Sequence, residues 1–267
     1  MANGSIEFFS VSLWRKVRFQ FVSPNDAPPF ITEGNPHYQR PAKTLYLLHG
    51  YSGNSSDRLM GSRVADYAAK YNVNVILPDG ENGFYLDQPG TGNKYASFVG
   101  EELVRYTRRL FHLSERREDT YVGGLSMGGF GALHTALSYP ETFGGAFSLS
   151  GALIIHNVKT MTPGFSDMQA DYDYYLRTFG EPSQVVESVN NPETLVRAIR
   201  ENGQPMPRIY LAIGTEDFLY GENQIFRRFL EEQKVDFTYE EGPGVHDFDF
   251  WDPYCNRAMD WMVKDDA

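Results

Sequence analysis

Hydrophobic and polar residues follow two rhythms along the chain. Residues 6–22 alternate, rich in β-branched and aromatic side chains, which predicts two strands. Residues 24–41 carry Pro24, Pro28, Pro29, Pro36 and Pro41 and read as a surface loop. From Lys43 onward short apolar runs predict buried strands at 44–50, 73–80, 119–126, 143–149, 207–214 and 235–241. Between them apolar residues recur at helical spacing. Examples are Val64, Ala65, Ala68 and Ala69 in 62–71, and Phe98, Val99, Leu103, Tyr106 and Leu110 in 96–111. Further helices are predicted at 127–139, 223–233 and 253–263. Strands alternating with helices imply βαβ units: an α/β fold with a mostly parallel sheet and helices on both faces, in one domain over 1–267. The rhythm lapses over 151–205, where Tyr172, Tyr174, Tyr175 and Phe179 lie among scattered prolines and glycines. This stretch reads as short helices inserted at the C-terminal edge of the sheet, either a small lid or an ordinary packed excursion.

Composition narrows the function classes. Hydrophobic residues are 41% and charged residues 22%, so a wholly disordered chain is excluded. Lys+Arg number 24 against 35 Asp+Glu, a net charge of −11, which argues against a nucleic-acid partner. Arg105, Arg108, Arg109, Arg116 and Arg117 lie among Glu101, Glu102, Glu115 and Glu118, as on a solvated helix face. One cysteine, Cys255, permits neither an intramolecular disulfide nor a thiolate zinc site and fits a reducing cytoplasm. No apolar run approaches the ~18 residues of a membrane span, and the alternating N-terminus does not read as a signal peptide. No membrane partner is expected; a homo-oligomer is compatible with the sequence.

The segment YVGGLSMGGFGAL (121–133) carries the chemistry. Gly124, Ser126 and Gly128 form a G-x-S-x-G between an apolar strand and the start of a helix. A sharp strand-to-helix turn strains the serine backbone, and glycines two residues to either side let the backbones approach. The helix N-terminus favours the negative charge that develops during attack. Such a serine needs a base. Of the six histidines, His246 follows strand 235–241 through Gly242-Pro243-Gly244, at the strand ends where open α/β sheets keep functional residues. His134 falls on the helix after Ser126 and is expected to pack there; His37, His112 and His156 read as surface or loop residues. The base needs a carboxylate to set its tautomer. Asp217 lies three residues beyond strand 207–214, between Ser126 and His246 in chain order. Glu216 is its rival, and Asp247 is too near His246 to orient it. The oxyanion needs backbone N–H donors, one from Met127 and one from the loop 47–54, LLHGYSGN. Tyr51 is the preferred second donor and Ser52 the alternative, with His49 as a buttress.

These segments, with ILPDGENGFYLD, FSLSGAL, GTEDFLYGEN and PGVHDFDFWD, resemble the α/β-hydrolase fold serine esterases from about Leu45 to Trp261. Within these the chain is similar to the esterase D group, which includes S-formylglutathione hydrolases, feruloyl and acetyl xylan esterases and bacterial tributyrin esterases. The tributyrin esterase branch looks closest. The resemblance implies cofactor-free hydrolysis of small-molecule, short-chain acyl esters through an acyl-enzyme on Ser126. The elbow Gly-Leu-Ser-Met-Gly-Gly-Phe and the lack of a cysteine near Tyr51 depart from the S-formylglutathione hydrolases. Feruloyl ester hydrolysis is kept open by Phe84, Tyr85, Phe218 and Trp251, as substrate-binding walls or as core packing. A dinucleotide site lacks its G-x-G-x-x-G and acidic partner, and a metal hydrolase lacks H-E-x-x-H or a comparable set. A catalytically silent hydrolase-fold binding protein is the non-enzyme alternative.

Overall fold

The computed structural model describes residues 1–264, apart from the Arg58 side chain. Eight strands form one sheet in the order β1-β2-β4-β3-β5-β6-β7-β8. They are β1 (Ala2–Ser10), β2 (Arg15–Ser23), β3 (Lys43–Leu48), β4 (Val73–Pro78), β5 (Thr120–Leu125), β6 (Gly145–Leu149), β7 (Arg208–Gly214) and β8 (Thr238–Gly242). β1 and β2 form an antiparallel hairpin, β2 runs antiparallel to β4, and all later pairings are parallel. This is the α/β-hydrolase architecture. Alternate side chains of the central strands enter two separate cores. Tyr46 and Leu48 join one with Val122 and Leu211, while Leu45 and Leu47 join the other with Tyr121 and Tyr210.

Eleven helices are described: α1 (Pro29–Thr32), α2 (Asp57–Gly61), α3 (Val64–Tyr71), α4 (Tyr95–Ser97), α5 (Leu103–Phe111), α6 (Met127–Ser138), α7 (Ile155–Val158), α8 (Tyr172–Phe179), α9 (Pro192–Glu201), α10 (Tyr220–Glu232) and α11 (Phe248–Val263). α6 and α10 bury their apolar faces in the first core, α3 and α11 in the second. Among the described residues no helix is long and apolar enough to cross a membrane.

Boundaries shift where side chains impose local geometry. The helix predicted over 96–111 is divided by a π turn at Phe98–Glu102. There Glu102 is buried, not part of a solvated face. It accepts from Ser10 Oγ at 2.7 Å and from the Val11 and Ser12 amides at 2.7 and 2.9 Å, tying down the β1–β2 turn. β8 starts at Thr238 and not at 235, because the Val235 amide bonds Leu230 O at 3.0 Å and closes α10. The last helix starts at Phe248, with Pro253 inside it. Asp247 supplies the cap, accepting from the Phe250 amide at 3.2 Å, and Phe250 and Trp251 are buried. The segment 24–41 contains two short turns, α1 and Pro36–Gln39, each with a proline at its first positions.

Candidate active site

Every candidate catalytic group sits just past the C-terminal end of a parallel strand. Along the sheet, β3, β5, β7 and β8 are followed by Tyr51, Ser126, Asp217 and His246. Ser126 has φ 53° and ψ −121°, a conformation that side chains rarely adopt, between β5 and α6. Ladder-like bonds fix it: its amide donates to Leu149 O at 2.9 Å, and its carbonyl accepts from the Phe130 and Ala152 amides. Glycine is required on both sides. A Cβ at Gly124 would lie 2.3 Å from Gly128 O, and one at Gly128 would lie 2.4 Å from Leu48 O. The turn is thus pressed against the end of β3, whose loop is the other side of the site.

His246 Nδ1 bonds Asp217 Oδ2 at 2.9 Å. Asp217 is nearly fully buried. Burial raises its carboxyl, but hydrogen bonds from His246, the Leu219 amide and the Ser150 hydroxyl outweigh this and hold it below the usual carboxylate range. The Leu219 amide meets Asp217 Oδ1 at 2.9 Å and the Tyr220 amide meets Asp217 O, so the same residue also starts α10. Glu216 takes a different part: it is exposed and accepts from the Gly244 amide at 2.7 Å, clamping the loop that carries His246. The two loops touch closely enough that a Cβ on Gly214 would lie 2.2 Å from Gly244 O. With Nδ1 occupied, His246 presents Nε2, and it shares with Ser126 a cavity of about 210 Å³.

The loop after β3 is braced from below. His49 is buried; its Nε2 accepts from the Gly80 amide at 2.8 Å, so Nδ1 carries the proton and donates to Gly50 O at 2.7 Å. Burial lowers the His49 pKa and keeps this ring neutral. Ser52 has φ 63° and gives its amide to Asn82 Oδ1 at 2.8 Å. Among the described residues no acceptor takes the Tyr51 or Met127 amide. Tyr51 and Met127 both line a cavity that also holds Ser126.

A second cavity, of about 240 Å³, also opens on Ser126; Tyr51, Phe84, Met127, Met161, Tyr174 and Phe218 are among its walls. Four candidate substrate-binding residues separate here. Phe84 lines this cavity, backed by Phe130 and Phe179. Phe218 lines it too, largely exposed, with its ring 4.6 Å from that of His246. Trp251 lines the His246 cavity instead. Tyr85 lies under the oxyanion loop, fully buried, with its hydroxyl donating to His49 O at 3.0 Å; core packing is its role. His134 is packed as expected: burial lowers it to about 4, and Nε2 faces Val189 O at 3.1 Å.

Sequence reasoning missed three kinds of residue. Asn82 anchors the loop after β3, Ser150 takes the Trp251 indole N–H beside the site, and the 151–205 segment supplies Ile154, Asn157, Met161, Asp167 and Gln169 to the pocket. FSLSGAL gives a hint of Ser150, since the serine ends a strand beside that of Ser126. Nothing local marks the others.

The Esterase family model matches residues 10–258. The acetyl esterase of Caldicellulosiruptor saccharolyticus is 40% identical over 264 residues, 99% of each chain. Among solved structures, the fluorophosphonate-binding serine hydrolase FphF of Staphylococcus aureus, substrate bound, superposes with TM-score 0.84 at 27% identity, over 98% of both chains. The S-formylglutathione hydrolase FrmB of the same organism gives 0.81 at 27% identity and the same coverage. This chain belongs to the Esterase family and is a serine esterase of the α/β-hydrolase fold.

Proposed function

We propose that the enzyme cleaves short-chain acyl esters, acetyl esters foremost, with Ser126 as nucleophile, His246 as base and Asp217 as its orienting acid. The observation that carries this reading is the 2.9 Å Asp217–His246 bond beside a strained elbow serine in a shared cavity. His246 Nε2 takes the Ser126 hydroxyl proton as Oγ attacks the ester carbonyl. The oxyanion is held by the Met127 and Tyr51 amides. The imidazolium then protonates the departing alcohol, and water repeats the sequence to release the acid. Asp217, already an anion, stabilises the imidazolium without taking its proton.

The 240 Å³ cavity beside Met127 suits a small acyl group, and the end-to-end similarity to an acetyl esterase supports the same preference. A second reading rests on Phe84 and Phe218, two aromatic walls of that cavity against which a planar acyl group, as in a feruloyl ester, would pack. A reducing cytoplasm suits the lone buried thiol Cys255. The test is a panel of initial rates on p-nitrophenyl acetate, butyrate and octanoate, methyl ferulate, acetylated xylan and S-formylglutathione, with Ser126→Ala as blank. Acetate and butyrate are expected to be fastest. A methyl ferulate preference would replace the first reading by the second, and rates equal to the Ser126→Ala blank on every substrate would remove the catalytic assignment.

A further inference from the structure

We propose that Asn223 is a positioning residue that ties the segment beside Ser126 to the segment that carries Asp217; this rests on the catalytic assignment above. Asn223 lies in the first turn of α10 and is 1% exposed. Its Nδ2 donates to Gly151 O at 2.9 Å and to Leu219 O at 2.8 Å. Carbonyl oxygens only accept, so the nitrogen end of the amide must face them, and both of its protons are engaged there. Its Oδ1 meets no donor among the described residues, so the side chain's hydrogen bonds are those two. Ala152, next to Gly151, gives its amide to Ser126 O at 2.9 Å. Leu219 gives its amide to Asp217 Oδ1 at 2.9 Å, and Asp217 Oδ2 holds His246 Nδ1 at 2.9 Å. A path of bonds therefore runs from Ser126 through Ala152, Gly151, Asn223 and Leu219 to Asp217 and His246. β5 and β7, the strands that end at Ser126 and Asp217, are not neighbours, because β6 lies between them. The β6–β7 ladder reaches Leu149 and Ala212, and the Ser150 amide extends it with a bond to Ala212 O at 2.7 Å. Beyond that point the two loops leave the sheet, and Asn223 supplies the next tie between them. Asn223 stands outside the walls of both cavities at Ser126, whereas Ala152 and Leu219 line the larger one.

Stability and positioning separate at this residue, because neither carbonyl depends on the side chain for its only bond. Gly151 O also accepts from the Leu153 amide at 2.9 Å, and Leu219 O from the Asn223 amide at 3.1 Å. Leucine at 223 keeps the branching at Cγ, removes both donors and removes the unpaired oxygen. It leaves neither carbonyl orphaned, so the fold loses little. What goes is the tie between the loops. A shift of the Asp217 loop is passed through the Oδ2–Nδ1 bond to the His246 ring, and a misplacement of about 1 Å in a catalytic group can cost about 10²-fold in rate.

The experiment measures kcat and KM for p-nitrophenyl acetate, and the thermal midpoint, in Asn223→Leu and Asn223→Ser, each alone and in the Asp217→Asn background. Serine is too short to span both carbonyls and covers the case in which leucine is not accommodated. Assayed well below its midpoint, each single variant is expected to lose about tenfold in kcat, with KM changed by less than about twofold. A residue that only supported the fold would lower the midpoint and leave kcat as it was. In Asp217→Asn the same substitutions should cost less than about a further twofold, because they act through the acid that is already lost. Wild-type kcat in the folded variants, a change confined to KM, or a tenfold loss that persists in full in Asp217→Asn would overturn the proposal. A wild-type rate in Asp217→Asn alone, or activity retained in Ser126→Ala, would instead overturn the catalytic assignment beneath it.

Discussion

At Ser126 the backbone is held at φ 53° by bonds to Leu149, Phe130 and Ala152, and the helix that follows begins at the next residue. Among the described residues the hydroxyl makes no hydrogen bond, so Ser126→Ala is expected to abolish turnover while the thermal midpoint stays within a degree or so of wild type. Asp217→Asn should cost kcat about 10⁴-fold, the loss seen when a catalytic histidine is held in the wrong tautomer. Steady-state kinetics beside a melting curve checks both, and a wild-type rate in Asp217→Asn would move the acid role elsewhere. Gly128→Ala should act on structure and activity together, since its new Cβ would meet the Leu48 carbonyl at 2.4 Å. The contact is backbone against backbone, so a loss of about 1–3 kcal/mol is expected by urea unfolding. Ser126 and His246 could be singled out in the sequence by short-range marks, a glycine-flanked serine and a histidine after a Gly-Pro-Gly turn. The Ser150–Trp251 bond could not be, since it joins residues 101 positions apart.

Among the elements, the β1–β2 hairpin depends on one distant carboxylate. Glu102 satisfies three donors of the hairpin turn, and although burial pushes its pKa up, those bonds prevail and hold it below the usual glutamate range. A folded-state pKa below the unfolded value means that the unfolded chain binds more protons. Its contribution is therefore present above the unfolded glutamate range, near pH 4.3, and is lost as pH falls through the lower folded value. Glu102→Gln is expected to destabilise the fold by about 1.5–3 kcal/mol at pH 7, the range for hydrogen bonds to a charged group. The gap between variant and wild type should narrow as the pH is lowered past that window; a gap of constant size from neutral to acid pH would show that the charge is not what matters. The apolar strands β3 to β7 were readable because burial on both faces leaves continuous hydrophobic runs. The start of α11 was misread because Pro253 looks like a first-turn residue, whereas the Asp247 cap and the burial of Phe250 and Trp251 draw the helix back to Phe248.

For the whole molecule, the segment 151–205 is joined to the oxyanion loop at two points. Tyr51 Oη donates to Gln169 O at 3.2 Å, and Tyr174 Oη donates to Asn82 O, on the residue whose side chain holds the Ser52 amide. The cavity walls and the loop after β3 are thus tied by one chain of contacts, so under the proposed mechanism pocket and oxyanion donor are set together. Asn82→Ala is expected to lower kcat about 10–100-fold, up to the lower end of the loss for removing an oxyanion donor outright, and Tyr174→Phe to do so more weakly. If kcat holds and only KM rises, the segment shapes the pocket without positioning the donor. The order of strands, helices and the serine, acid and histidine could be read from the chain, because periodicity, glycine spacing and chain order are local properties. The inner pocket wall, the Asn82 anchor and the paths to Asp217 were settled only by folding. They join side chains to backbone groups 30 to 118 residues away, and such pairs are chosen by how the loops at the strand ends pack, which no local pattern records.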